Sequence, residues 1–351
     1  MTDLPRAAPA AYSLQPKAFF LCFLRCLRVR IRRMSASQIT TRLAPSPTGA
    51  LHLGNVRTFV VNYVMARQRG WRVLMRVEDL DGPRIKAGSA DGVLDELAWL
   101  GLEWDGPVVY QSHRADTYRQ ALEQLTQAGQ AYPCVCTRGD IESAASAPHR
   151  GEHEIVYPGT CCNRYASAQA ATAACGRPVA WRLRVGPMPI EVHDQFVGEH
   201  RFDLRKICGD FVIVKNDGTA AYQLAVVIDD AQAGVTAIVR GDDLLDSAAS
   251  QIHLRTLLGL PNDMQYWHLP LVVGPDGRRL AKRHGDTRLS HYRSLGCRVE
   301  RILGLVAYWS GALPTRQECS MAELIAAFSI DRMPREQVVF GPDDEEFLTL
   351  R

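Results

Sequence analysis

The stretch from Ile39 to Val77 constrains this chain more than any other. A β-prone run, Ile39 to Leu43, is broken by Pro45-Ser46-Pro47-Thr48-Gly49, and a helical pattern begins near His52. Val56, Val60, Tyr63 and Val64 fall at i, i+4, i+7 and i+8, a single buried stripe, and Gly70 supplies the stop. Trp71 to Val77 reads as the next strand, ending in Glu78, Asp79 and Asp81. Strand, helix and strand in that order make a crossover unit, so the two strands run parallel and the chain is committed to an α/β architecture. The loop between the first strand and its helix is a place where phosphates bind. Free backbone N–H groups and the positive end of the helix dipole converge there, Gly54 lets a nucleotide lie close to the backbone, and His52 offers a donor to phosphate oxygens.

Further amphipathic helices are expected from Ser89 to Leu100, closed by Gly101, and from Arg114 to Ala128, closed by Gly129. Between Ala131 and Asp203 the pattern turns to short strands: Cys134 to Cys136, Trp181 to Val185 and Glu191 to His200. These read as an inserted β-rich module. Phe211 to Val214, Tyr222 to Ile228 and a strand ending at Arg240 then read as the second half of the sheet, and His268 to Val273 as one more strand. The Gly274-Pro275-Asp276-Gly277 turn leads into Arg279-Leu280-Ala281-Lys282-Arg283, where an ammonium can reach a triphosphate and neutralise charge in a transition state. The last part of the chain suits a small helical appendix around Ile302 to Trp309. The expected divisions are a basic N-terminal extension, 1–38; the first half of a nucleotide-binding domain, 39–130; the insertion, 131–203; the second half, 204–290; and a helical C-terminal region, 291–351.

Composition excludes several classes. Among 351 residues, 41 Lys and Arg against 38 Asp and Glu leave a net charge of +3, so nucleic-acid contact has to come from a local patch rather than a global basic field. The apolar run Ala18 to Leu24 is far too short to span a bilayer, which takes roughly 20 residues. Its arginines, Arg25 to Arg33, come after it instead of preceding it as in a signal peptide. The extension reads either as a basic leader or as sequence ahead of a start at Met34. No G-x-x-x-x-G-K-[ST] occurs, which excludes a P-loop enzyme.

Ten cysteines in a chain this long do not make a secreted disulfide scaffold, and their clustering favours a metal site in a reducing, cytoplasmic setting. Cys134-x-Cys136 opens the insertion, and Cys161 comes after a stretch containing His149, His153 and Tyr157. Three thiolates plus one further donor make a closed tetrahedral zinc site, which stabilises a small module by cross-linking its loops. Cys162, His149 and His153 are equally plausible fourth donors, and a reduced cluster without metal is the plain alternative. Cys22, Cys26, Cys175, Cys208, Cys297 and Cys319 read as ordinary thiols.

The segment Arg42-Leu43-Ala44-Pro45-Ser46-Pro47-Thr48-Gly49-Ala50-Leu51-His52-Leu53-Gly54-Asn55, paired with the late Lys282 loop, resembles the signature pair of class I aminoacyl-tRNA synthetases. Arg76-Val77-Glu78-Asp79-Leu80-Asp81, Tyr222, and Arg240-Gly241-Asp242-Asp243-Leu244-Leu245 resemble the glutamate-activating branch of that class. Two positions depart from the pattern. The late loop has Arg279 and Ala281 in place of Lys and Ser, and the early segment ends on Asn55 instead of a second His. The residues after the late loop are too few for the usual anticodon-binding region, since a domain takes on the order of 100 residues. The chain is therefore most similar to the truncated glutamyl-queuosine tRNA(Asp) synthetases.

That resemblance implies a Rossmann-type parallel sheet split by a small zinc-binding β-rich insertion, with a short helical C-terminal appendix. It implies activation of L-glutamate with ATP and Mg²⁺ without tRNA, then transfer to the queuosine base in the anticodon of tRNA(Asp), by a monomer with no membrane attachment. It assigns Arg42, Ala44, Ser46, Glu78, Tyr222 and Arg240 to the glutamate pocket, and His52, Gly54, Asn55 and Lys282 to ATP, with His52 and Lys282 catalytic. It assigns Cys134, Cys136, Tyr157 and Cys161 to zinc. Arginines can hold carboxylates bidentately, and Glu78 can hold the substrate ammonium. Outside the motif, Arg240 would instead read as a partner of Asp242 or Asp243. Arg182 and Arg184 are expected to help seat the anticodon stem-loop. The alternatives are a minimal glutamyl-tRNA synthetase that charges a 3′ end and a non-catalytic RNA-binding module on the same fold.

Overall fold

A computed structural model describes residues 38–47, 50–81, 85, 88–144, 156–280 and 285–350. Residues 1–37, Thr48, Gly49, His149, His153, Ala281 and Lys282 lie outside them. The expected crossover is formed by β1 (Thr40–Leu43), α1 (Leu53–Arg69) and β2 (Arg72–Val77), with Thr40 opposite Arg72 and Leu43 opposite Met75 in parallel register. Gly70 ends α1 with a left-handed φ of 65°, its N–H returning to Ala66 O. α2 (Ser89–Trp99) and α3 (Ala115–Gln127) fall where the sequence places them, and β3 (Val109–Tyr110) lies on the far side of β2.

An antiparallel sheet of β4 (Ala131–Cys134), β5 (Ala180–Leu183) and β8 (Val212–Val214) builds the insertion. A second sheet contains β6 (Ile190–Asp194), β7 (Gly198–Phe202), β9 (Ala237–Gly241) and β10 (Gln265–Leu269), in the spatial order β7-β6-β10-β9. β9 lies beside β1, where the Thr236 N–H donates to Thr40 O over 2.9 Å. The ends of β1 and β9 thus face the same cleft.

Two expectations are exchanged. The Glu191 to His200 hairpin, read as part of the 131–203 insertion, joins the main sheet through β10, and Phe211 to Val214, read as main sheet, pairs with β5 in the insertion. A period of two says that one face of a strand is buried; it does not say against which sheet. Tyr222 to Ile228, also read with the sheet, is the start of a helix, Tyr222–Ala233. Leu224 to Asp230 are all buried, and an apolar run wrapped on every side loses the periodicity that separates helix from strand.

One core joins α1, β1 and β2 to the C-terminal helices, which add Ile302, Leu305, Trp309, Leu324 and Leu348. Arg57 of α1 is buried in that join, donating to Pro270 O (2.6 Å), Trp309 O (3.1 Å) and Ser310 Oγ (3.4 Å). Burial brings its pKa down to about 10, so it keeps its charge at neutral pH. β12 (Val338–Val339) pairs in parallel with β11 (Val272–Val273), tying the last segment to the base of the late loop. Among the described residues no helix is long and apolar enough to cross a membrane.

Candidate active site

A cleft of about 520 Å³ opens at the ends of β1 and β9 and the start of α1. Arg42, Ala44, Ser46, Glu78, Tyr222 and Arg240 line it, and so do His52, Gly54, Asn55 and Arg279. Every described residue that the sequence assigns to glutamate or ATP is therefore in one cavity, together with the first residue of the late basic loop. Lys282 lies outside the described residues.

The two loops are adjacent because their backbones pair. Leu53 N–H donates to Thr287 O (3.0 Å) and Leu289 N–H to Leu51 O (2.7 Å), so His52 and Arg288 face each other across an isolated antiparallel bridge. Glu96 of α2, which sequence reasoning missed, reinforces this join. Its carboxylate accepts from Leu51 N–H over 3.3 Å and also hydrogen-bonds Ser290. Asp243 accepts from Arg279 Nη1 at 2.8 Å and holds the start of the late loop over the cleft.

His52 caps α1 in an extended conformation without a side-chain cap bond, and its buried Nδ1 has no partner. Burial, helped by the positive charge of Arg279, lowers its pKa from 6.5 to about 4. The ring is neutral at physiological pH and can donate to an anion without carrying a charge of its own.

Beneath the cleft lies a network of six charged groups. Arg76 Nη1 donates to Asp230 Oδ1 (2.5 Å) and Nη2 to Glu78 Oε1 (3.0 Å), while Arg42 Nε stands 3.5 Å from Asp230 Oδ1. Asp229 accepts from Arg114 Nε (2.6 Å), Gln111 Nε2 (2.8 Å) and the Tyr118 hydroxyl (2.9 Å). Burial pushes the Glu78 carboxyl up, against the opposing pull of Arg76 and Arg42. For Asp230 the balance falls the other way. Burial raises it, but Arg76 and Arg42 together hold it below the usual carboxylate range. Buried charges persist only when paired, and each member of this set has an opposite charge within 4 Å, while Arg42 Nε, Arg76 Nε and Asp230 Oδ2 have no hydrogen-bond partner. The sequence signal for it was two consecutive carboxylates, Asp229 and Asp230, closing an apolar run.

Arg240 does not pair with Asp242 or Asp243. Its guanidinium is held by His268, Gln251 and Leu244 O. Tyr222 stands at the mouth of the cleft, 37% exposed.

A second cluster lies at the end of β4. The sulfurs of Cys134, Cys136 and Cys161 lie within 4.8 Å of one another, and the Tyr157 hydroxyl is 3.5 Å from Cys134 Sγ and 3.8 Å from Cys136 Sγ. Tyr157 is seated by Gly209 (φ 63°), where a Cβ would meet Tyr157 O at 2.4 Å. Cys162 faces elsewhere, accepting from Arg184 Nη1 at 2.8 Å. Burial, then the Cys161 sulfur and the charge of the neighbouring thiols, pushes Cys136 up to about 12, so it stays a neutral thiol unless a cation joins the cluster. The donor set fits a metal ion that prefers sulfur. Arg182 is not an RNA-facing group. It is buried, donates to Cys134 Sγ (3.3 Å) and Asp210 O (2.6 Å), and stacks 3.7 Å above the Tyr157 ring.

Residues 38–343 match the family described as tRNA synthetases class I (E and Q), catalytic domain. A Glutamyl-Q tRNA(Asp) synthetase of Rhodopirellula baltica is 45% identical over 79% of this chain and 87% of its own length. One from Symbiobacterium thermophilum is 43% identical over 85% and 94%. Among solved structures, a glutamate tRNA ligase from Elizabethkingia meningosepticum in complex with its amino acid superposes with a TM-score of 0.74 at 26% identity, covering 89% of this chain and 69% of that one.

Proposed function

Because the chain belongs to the class I tRNA synthetases of the glutamate and glutamine type, we propose that it activates L-glutamate with ATP and transfers it to queuosine in the anticodon of tRNA(Asp). The observation that carries this reading is the single cleft shared by the amino-acid residues and the ATP-loop residues. Arg42 and Arg240 take substrate carboxylate, Glu78 takes the ammonium, and Ser46 and Tyr222 complete hydrogen bonds that the zwitterion would lose on leaving water. The ATP phosphates lie against His52, Gly54, Asn55 and the start of α1, with Lys282 supplying positive charge at the reacting phosphate and Mg²⁺ accompanying the nucleotide.

The first step needs no general base, because the α-carboxylate is already a nucleophile. One of its oxygens bonds to the α-phosphorus as the bond to pyrophosphate breaks, so catalysis is alignment plus stabilisation of developing charge. In the second step a hydroxyl of the queuosine cyclopentene ring attacks the carbonyl of the adenylate and AMP leaves. Single-stranded loops such as the anticodon present bases that a protein can read. Cys134, Cys136, Cys161 and Tyr157 would hold a structural zinc, which would cross-link the insertion. Arg182 braces that site and does not contact RNA. In this reading the protein acts in the reducing cytoplasm as a monomer.

The test is ATP–pyrophosphate exchange across amino acids without tRNA, then transfer of labelled glutamate to tRNA(Asp) with or without queuosine. Exchange with glutamate alone, label only on the queuosine-containing tRNA, and loss of exchange in Lys282→Ala are expected. Label on the 3′-terminal nucleotide would establish an ordinary glutamyl-tRNA synthetase instead, and no exchange a non-catalytic module.

A further inference from the structure

β9, β10 and β6 are neighbours, and their register sets His268 opposite Arg240, with Asp194 at the end of β6. All three side chains are buried, His268 completely. Arg240 Nε donates to His268 Nε2 over 2.9 Å, and His268 Nδ1 lies 2.6 Å from Asp194 Oδ2. A guanidinium nitrogen offers only hydrogen, so Nε2 has to be the bare acceptor. A carboxylate offers only lone pairs, so Nδ1 has to carry the proton. One form of the ring satisfies both neighbours: neutral, with its proton on Nδ1. Asp194 and Arg240 are the charged groups that face it, and the Tyr266 ring stacks on it at 5.9 Å.

The rest of Arg240 is equally constrained. Nη1 donates to Gln251 Oε1 (3.0 Å) and Nη2 to Leu244 O (3.1 Å), and Gln251 is itself fixed by donating to Gln223 Oε1 (2.9 Å). A guanidinium has five N–H groups, so two remain, one on each terminal nitrogen, the pair that matches a carboxylate. The three acceptors on Arg240 are an imidazole, an amide and a peptide carbonyl, all neutral. Among the described residues it makes no ion pair, whereas Arg42 stands 3.5 Å from Asp230.

We propose that His268, held as the neutral Nδ1–H imidazole by Asp194, is a positioning residue that fixes the Arg240 guanidinium with no carboxylate in direct contact and two donors free for the substrate carboxylate. This rests on the reading of the cleft as an amino-acid pocket. An imidazolium at this position would turn an N–H against the Arg240 N–H and force the guanidinium aside. A side chain that cannot accept would leave Nε unpaired in a buried site and free the guanidinium to rotate. His268→Gln keeps an acceptor for Arg240 and a donor for Asp194 within one neutral amide.

Two measurements test the relay. In ¹⁵N NMR of the wild-type protein, the His268 ring is expected to show a protonated Nδ1 and a bare Nε2 from roughly pH 6 to 8; an imidazolium or an Nε2–H ring overturns the proposal. In glutamate-dependent ATP–pyrophosphate exchange, His268→Ala is expected to raise the KM for glutamate about tenfold or more with the KM for ATP within about twofold, and His268→Gln to restore it to within about threefold of wild type. An unchanged glutamate KM in His268→Ala, or a parallel rise for both substrates that His268→Gln does not repair, refutes the positioning role. Wild-type protein without glutamate-dependent exchange would refute the functional reading, and the ring tautomer would still decide whether the relay exists.

Discussion

His52 offers a direct test of the cleft's electrostatics. Its ring is half-buried at the start of α1 with Nδ1 buried and unpartnered and Arg279 nearby, and burial first and Arg279 second bring its pKa from 6.5 to about 4. A difference of that size corresponds to about 3 kcal/mol disfavouring the charged ring inside the folded protein. Because the folded value lies below the unfolded one, this contribution to stability is complete above pH 6.5 and is lost as the pH falls toward 4, where the unfolded chain takes up a proton that the folded chain refuses. Titrating the ring Cε1–H by NMR, assigned by its loss in His52→Asn, should give a midpoint about two and a half units below that of a free histidine. Arg279→Ala should raise the midpoint, and ATP should raise it further, since the triphosphate's negative charge favours the imidazolium. A midpoint at or above about 6 in the ligand-free protein would refute the picture of a dry, positively flanked ring.

Metal chemistry and packing each give one further outcome. Purified protein should carry about one zinc per chain, and Cys161→Ala should lose the metal and several degrees of melting temperature, read by elemental analysis and calorimetry; a zinc-free protein with unchanged melting would remove the metal from the account. In the helix Val299–Trp309, a Cβ on Gly304 would lie 1.8 Å from Gln317 O, so Gly304→Ala should cost about 3 kcal/mol in urea unfolding, and an unchanged midpoint would contradict the close contact.

The crossover unit was legible in the sequence because each boundary has a local chemical cause. The proline-rich break precedes His52, and only a residue at ease with positive φ closes α1 at Gly70. The residues assigned to substrate were legible through motif likeness, and all that are described line one cleft. Their supports were not. Asp230, His268, Gln251 and Glu96 come from separate elements, and each does its work through a neighbour remote in sequence, as when Glu96 grips Leu51. Arg182 reads as a surface cation because arginines usually are, yet its stem and charge are used against Cys134 and Tyr157. The strands of the hairpin Ile190–Phe202 were visible as strands, while their sheet was decided by Asp194 reaching His268.

Thr40 and Thr236 meet although 196 residues separate them, and the ends of β1 and β9 that carry Arg42 and Arg240 meet with them. On the ribosome, β1 and β2 are finished long before β9 has been translated, and until then β1 presents a bare row of N–H and C=O groups to the cell. The nascent chain therefore lacks the cleft altogether for most of its synthesis. Chaperone dependence should be greatest in truncated products that stop short of Ala237, where the missing neighbour begins.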